Sequence, residues 1–175
     1  MSFLSARPRT IGLILAGLVY WLDQWIKRQV DGPWGLTEEY MKIDLLPFFD
    51  LTRTHNHGVS MGFLTANSME MRWGLVALTA GIALIVFVWL LREKKFGDIL
   101  PLGMVLGGAL GNIHDRYRFG YVLDYADFHI GTWHFYIFNL ADAAITVGVA
   151  IILARSFLIR EKTETEPAGA PATEN

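Results

Sequence analysis

The sequence predicts a mainly α-helical integral membrane protein, with four transmembrane helices and a small β-containing subdomain outside the membrane between the first and second spans. Three observations carry that expectation. The chain is 53% hydrophobic with a mean hydropathy of +0.33, too apolar for an ordinary soluble domain of 175 residues. Its apolar residues are bunched into long runs, one of which, 73–91, holds 19 residues without a charge. Between the first two runs the chain is polar and rich in turn formers, with a short alternating stretch, Phe49-Asp50-Leu51-Thr52-Arg53-Thr54, that reads as a strand.

The first span, about 10–26, follows Arg7 and Arg9 and shows no A-x-A cleavage pattern after it, so it is expected to be retained. Tyr20, Trp21 and Trp25 cluster at its far end as an interfacial aromatic belt. Asp23 and Lys27 stand four apart with the acid first, the favourable order for a helix ion pair. That pair either neutralises two charges near the span's end or supports a site. The outer subdomain, about 28–72, contains Gly32, Pro33, Gly35 and Pro47 and closes on Asn56-His57-Gly58-Val59-Ser60-Met61-Gly62-Phe63. Taken alone, Asn-x-Gly there is a tight turn.

The second span, 73–91, is long enough at 1.5 Å per residue to cross roughly 30 Å of hydrocarbon. After Arg92-Glu93-Lys94-Lys95 comes the third, about 99–113, in which Gly103, Gly107 and Gly111 recur every four residues. One face of that helix therefore carries only small side chains, and a neighbouring helix can approach closely. Asn112, Asp115 and Arg116 fall at or just outside its boundary, and residues 117–132 form a polar-aromatic connection. The fourth span, about 133–153, has Asp142 about two turns in. Residues 1–162 read as one membrane-embedded domain, and 163–175 as a Pro/Ala/Glu tail expected to be disordered.

Basic residues set the expected orientation. Arg7, Arg9, Arg92, Lys94, Lys95, Arg155, Arg160 and Lys162 sit in short termini and a tight turn, whereas Lys27, Arg28, Lys42, Arg53, Arg72, Arg116 and Arg118 are spread over two longer loops. Short basic segments stay in the cytoplasm, so both termini are expected there and the acidic cluster toward the opposite face.

An ionisable side chain in apolar surroundings costs free energy unless it is paired or has a task. Asp124 in YVLDYADF and Asp142 in FNLADAA are two such carboxylates, and Asp115 and Asp127 are further acids nearby. Two carboxyl groups brought close keep one proton between them, leaving one general base and one general acid. Other chemistries have less behind them. His55, His57, His114, His129 and His134 all fall on the outer side, but none shows H-E-x-x-H or a comparable ligand spacing, so no metal is expected. Ser60 lacks a G-x-S-x-G context, and the absence of Cys excludes a thiol nucleophile. A net charge of −2 with no dense basic patch argues against nucleic acid.

Five short motifs in order resemble the bacterial lipoprotein signal peptidase, or signal peptidase II, family. They are Asp23-Gln24-x-x-Lys27, Asn56-x-Gly58, Gly108-Ala109-x-Gly111-Asn112-x-x-Asp115-Arg116, Val122-x-Asp124 and Phe138-Asn139-x-Ala141-Asp142. The resemblance covers about residues 10–155. It implies a cofactor-free aspartic endopeptidase of the inner membrane, working as a monomer among membrane lipids, that cuts diacylglyceryl-modified prolipoproteins before their lipidated Cys. It further implies that Asp124 and Asp142 are catalytic, with Asn56, Gly58, Asn112, Asp115, Arg116, Asn139 and Ala141 around them and Asp23 and Lys27 in support. Met61 stands where many members of that family carry Phe or Trp, and His57 and His114 occupy variable positions; these departures bear on substrate preference. The alternative reading is a small proton- or ion-coupled transporter with Asp23, Asp115 and Asp142 as a relay.

Overall fold

The structure, a computed structural model, describes residues 8–58 and 69–164. Four long helices, α1 (Pro8–Asp31), α2 (Met69–Arg92), α3 (Phe96–Arg118) and α4 (Leu140–Glu164), carry a four-stranded antiparallel sheet of β1 (Lys42–Leu46), β2 (Phe49–Asn56), β3 (Val122–Ile130) and β4 (Trp133–His134). Three helical segments, Met69–Arg92, Phe96–Arg118 and Leu140–Leu158, are long and apolar enough to cross a membrane. The fourth, α1, has the same length as α2 but carries Asp23, Lys27 and Arg28 in its second half.

Helix α3 is the spine, packed on α1, α4 and α2, whereas α1 and α2 scarcely touch. The glycine face expected at Gly103, Gly107 and Gly111 is the reason. A methyl group at Gly103 would stand 2.5 Å from the Gly12 carbonyl oxygen of α1, one at Gly107 would overlap the Ala16 carbonyl, and one at Gly111 would stand 2.5 Å from Asp23 Oδ2. Gly108, on another face, lies equally close to the Ala141 carbonyl of α4. Backbones this near leave no room for a side chain, so shape complementarity takes the place of interdigitation. At one end Arg155 of α4 donates to Asp98 of α3 at 2.7 Å. At the other, α3 stops at Phe119, with Gly120 in the left-handed region (φ 88°) and its amide bonded to the Arg116 carbonyl. Arg72 of α2 donates to the Arg116 and Tyr117 carbonyls, satisfying the exposed helix end.

The sheet, in order β1-β2-β3-β4, departs from the expectation that it would come from the loop between the first two spans alone. Half of its strands lie between α3 and α4. The stretch VLDYADFHI is apolar enough to pass for a connection near the membrane, yet it pairs with the strand predicted at 49–54, which extends to Asn56. The register between β2 and β3 slips between Leu51 and Thr54, so Thr54 faces Asp124 and Asn56 faces Val122. A small core of Val30, Leu36, Leu123, Tyr125 and Ala126 seats the sheet against the end of α1.

The expected fourth span, 133–153, is corrected at its start. Trp133 and His134 pair with β3, the next residues run back across β3 through Ala126 and Phe138, and the helix begins at Leu140. The run WHFYIF is apolar without being helical. Asp142 consequently lies in the first turn of α4 and not two turns in. Asn112, Asp115 and Arg116, expected at or beyond the boundary, are buried within the last turns of α3. Helix α4 continues to Glu164, past the predicted start of the tail at 163, while the rest of that tail, like Ser60 and Met61, lies outside the described residues.

Replacing Gly107 by Leu should cost about 3 kcal/mol or more through overpacking, lowering Tm in detergent by roughly 10 °C. The matched control is Gly81→Ala, where a methyl meets nothing within 4 Å and Tm should hold or rise slightly. Gly120 is no neutral control, since its positive φ and Arg72 at 3.1 Å oppose any side chain. Equal melting temperatures for Gly107→Leu and Gly81→Ala would contradict the close-packed spine.

Candidate active site

Four carboxylates, Asp23, Asp115, Asp124 and Asp142, converge with Lys27 and Arg116 where α1, α3, α4 and β3 meet. Asp23, Asn139, Asp115 and Asp124 are each no more than 1% exposed. Buried charge survives only when paired and hydrogen-bonded. Lys27 supplies the pairing, with Nζ 2.8 Å from Asp23 Oδ2 and 2.8 Å from Asp115 Oδ2. The two carboxylates also accept from backbone and amide donors. Asp23 Oδ1 accepts the Ala141 amide at 3.1 Å, Asp115 Oδ2 accepts the Leu123 amide at 3.2 Å, and Gln24 Nε2 donates to Asp115 Oδ1 at 2.8 Å.

Above this knot a chain of two asparagines, Asn139 and Asn112, joins Asp124 to Asp142. Asn139 is the N-cap of α4, its Oδ1 accepting the Asp142 amide at 2.9 Å. Its Nδ2 donates to Asp124 Oδ1 at 2.6 Å and to Asn112 Oδ1 at 3.3 Å. Asn112 Nδ2 then donates to Asp142 Oδ1 at 2.7 Å. From the other side Asn56, the last residue of β2, donates to Asp124 Oδ2 at 3.0 Å. Asn56 Oδ1 is itself fixed by the Gly58 amide at 3.0 Å, and Arg116 Nη2 donates to the Gly58 carbonyl at 2.7 Å. Asp142 Oδ2 and Arg116 Nε are buried with no hydrogen-bond partner among the described residues. They are the open acceptor and donor of the cluster.

Burial, and after it repulsion from Asp142, pushes the Asp124 carboxyl up to about 7, against the opposing bonds from Asn56 and Asn139. Near neutral pH that group is poised to exchange a proton, which is what acid–base chemistry requires. Two cavities open on the pair. One, of about 440 Å³, is lined by Thr54, Asn56, Gly58, Asp124 and Tyr136 among others, and the second, of about 370 Å³, by Tyr136, Phe138, Asp142 and Thr146 among others. A larger groove of about 540 Å³ between α1, α2 and α3 is lined only by apolar side chains and offers no chemistry.

Every site residue expected from the sequence falls in or against this cluster, with Ala141 contributing its backbone amide and packing against α3. Asp127, His114, His129 and His134 lie elsewhere, whereas His55 and His57 line the cavity that holds Asp124. His129 and His134 pair with Asp50 and Asp127 across the sheet, His55 stacks on Tyr121, and His114 bonds Tyr20 at 2.7 Å. Sequence reasoning gave no role to Gln24, which it placed in a motif, and passed over Tyr125 and Tyr136. Gln24 had a legible signal, since it shares the face of α1 that holds Asp23 and Lys27. Tyr125, whose Oη accepts the Leu140 amide at 3.2 Å, and Tyr136 sit among aromatic neighbours that hide them.

Long apolar helices around a linked carboxylate pair, Asp124 buried and Asp142 half-buried, define the class as an integral membrane enzyme with acid–base hydrolytic equipment. The comparisons agree. The family model described as Signal peptidase (SPase) II matches residues 15–158. Proteins called lipoprotein signal peptidase from Rhizorhabdus wittichii and Sphingopyxis alaskensis are 53% and 47% identical, the alignments covering 87% and 86% of this chain and 89% and 87% of theirs. Two solved bacterial membrane enzymes, determined by the in meso method at 2.3 and 1.9 Å, share the fold. Their TM-scores are 0.76 and 0.70 at 22% and 25% identity, covering 93% and 83% of this chain and 95% and 92% of theirs. The chain belongs to the signal peptidase II family, and its enzyme class is that of a membrane aspartic peptidase. The transporter alternative finds no support. The carboxylates gather at one end of the bundle, and the buried residues of α2 are Leu75, Ala83 and Leu90.

Removing Lys27 while keeping its bulk, as in Lys27→Met, leaves two buried carboxylates without their counter-charge and should cost about 3–5 kcal/mol. Thermal unfolding in detergent measures it. A Tm within 2 °C of the wild type, on the scale of about 2–4 °C per kcal/mol, would contradict the pairing role.

Proposed function

We propose that this protein removes signal peptides from lipid-modified prolipoproteins at the outer face of the bacterial inner membrane, with Asp124 and Asp142 as the catalytic pair. The observation that carries the reading is the asparagine chain joining the buried carboxylate of Asp124, poised near pH 7, to the half-buried one of Asp142. All four helices span, α1 included, because its charged face is covered by α3 and α4. Both termini lie in the cytoplasm, and the peptidase unit is one domain working as a monomer in lipid.

With one proton between the two carboxyls, the ionised member takes a proton from water as that water attacks the scissile carbonyl carbon. The protonated member gives its proton to the carbonyl oxygen, and a tetrahedral diol forms. Collapse of the diol breaks the C–N bond, returning a proton to the leaving amine and restoring the singly protonated pair. Asp124, raised to about 7, is suited to hold the shared proton, and the open Oδ2 of Asp142 is suited to receive the water's. Arg116, on which the charges of Asp142 and Asp124 act, keeps positive potential over the developing oxyanion. Asn56, Asn112 and Asn139 hold the pair at fixed orientation, while Gly58 leaves its backbone open to Arg116. The diacylglyceryl chains of the substrate stay in the bilayer, and the sheet edge receives its extended peptide.

Asp124→Asn and Asp142→Asn should each lower cleavage of a lipid-modified prolipoprotein in detergent by at least about a hundredfold, since losing either removes base or acid. Near-wild-type turnover by either variant would refute the pair.

The pH dependence should be bell-shaped. A carboxyl raised to about 7 keeps its proton below that value and loses it above, so the alkaline limb falls through about pH 7 as the second proton leaves. Single-turnover cleavage against pH, in the presence of a chelator, tests this. A rate that rose steadily to alkaline pH, or that needed added zinc, would refute the mechanism.

A further inference from the structure

We propose that Tyr136 is a positioning and specificity-determining residue, whose hydroxyl fixes Asn56 against Asp124 and whose ring divides the cleft over the carboxylate pair. The proposal rests on the pair assigned above and adds to it a residue outside the five motifs.

The amide of Asn56 has one acceptor and two donors, and all three are accounted for. Its Oδ1 accepts from the Gly58 amide, which rules out the flipped orientation, because a flipped Nδ2 would face that N–H. The two Nδ2 protons therefore point to fixed places. One goes to Asp124 Oδ2 at 3.0 Å and the other to Tyr136 Oη at 2.8 Å. Without the tyrosine oxygen, the second N–H of a part-buried amide loses its acceptor, and the side chain can rotate toward water to find another. The bond to Asp124 then weakens. Because donation from Asn56 favours the ionised form of Asp124, its loss raises the pH at which that carboxyl titrates.

The ring has a second consequence. Tyr136 and its neighbour Phe135 line both cavities, the one holding Asp124 and the one holding Asp142. A peptide bond set between the two carboxylates has flanking side chains that must enter these spaces, and the half-buried ring stands between them. Whichever way the peptide runs, a branched side chain beside the cut meets the ring where a small one does not.

Tyr136→Phe separates the hydroxyl from the ring. It should lower kcat roughly fivefold with KM within about twofold, and move the alkaline limb up by about half a pH unit, as loss of one hydrogen bond implies. Tyr136→Ala, or Tyr136→Leu should the alanine variant not fold, removes the partition. With synthetic lipid-modified prolipopeptides carrying Gly or Leu before the lipidated Cys, it should raise the Leu-to-Gly ratio of kcat/KM by roughly tenfold or more, a ratio that Tyr136→Phe leaves unchanged. A phenylalanine variant with wild-type kcat and pH limb, or an alanine variant with an unchanged ratio, overturns the proposal. Asp124→Asn and Asp142→Asn assayed in parallel keep the two levels apart. Activity there removes the pair itself, whereas inactive pair variants beside unaffected Tyr136 variants remove only this role.

Discussion

One lysine holds the architecture together. Lys27 faces Asp23 and Asp115, and each of those carboxylates reaches one element further, Asp23 to the first turn of α4 and Asp115 to the start of β3. Four elements, α1, α3, β3 and α4, are thereby fixed at one point. Such an ion cluster is costly to bury, several kcal/mol per charge before pairing, and weak as a source of net stability. What it provides is register. The glycines of α3 make it possible, because only a helix without side chains at Gly107 and Gly111 lets α1 bring Asp23 into contact. Packing and electrostatics are therefore one constraint: a bulkier residue on that face moves the lysine, and through it Asn112, Asp124 and Asp142.

The chemistry draws on the same low-dielectric setting. Asp124 is held about three pH units above an ordinary carboxyl, equivalent to about 4 kcal/mol. The sign follows from the direction of the shift. The fold has its full share of this stability while Asp124 is protonated in both folded and unfolded chains, below about pH 4, and loses it progressively as pH rises to about 7. At working pH the protein thus carries a strain that the spine and the lysine knot offset. That is the usual relation between a stable frame and a reactive centre.

How much of this was legible in the sequence depended on the kind of signal. The glycine spacing in α3 foretold a close helix contact because it is local and periodic, and the Asp23/Lys27 pair because four residues make one helical turn. Residues 133–139 were misleading, since WHFYIFN is as apolar as a span and hydropathy cannot tell a buried irregular segment from a helix. Asn139 did carry the corrective signal, an N-cap residue just before the first helical turn. The pairing of β3 with β2 had no such local mark, because Asn56 and Asp124 are 68 positions apart and meet only through a register slip. The individual carboxylates were conspicuous as charges in apolar company. The asparagine chain that joins them, and the tyrosine that anchors Asn56, depend on tertiary contacts that no spacing encodes.

The central claim is that Asp124 and Asp142 titrate as a coupled pair, and carboxyl titration followed by infrared or 13C-aspartate NMR in detergent tests it most directly. In the wild type one carboxyl should titrate near pH 7, its signal should be missing from Asp124→Asn, and in Asp142→Asn it should move to lower pH because a like charge has gone. A carboxyl at position 124 that titrates in the ordinary range near pH 4, or one whose midpoint ignores the loss of Asp142, would contradict the account.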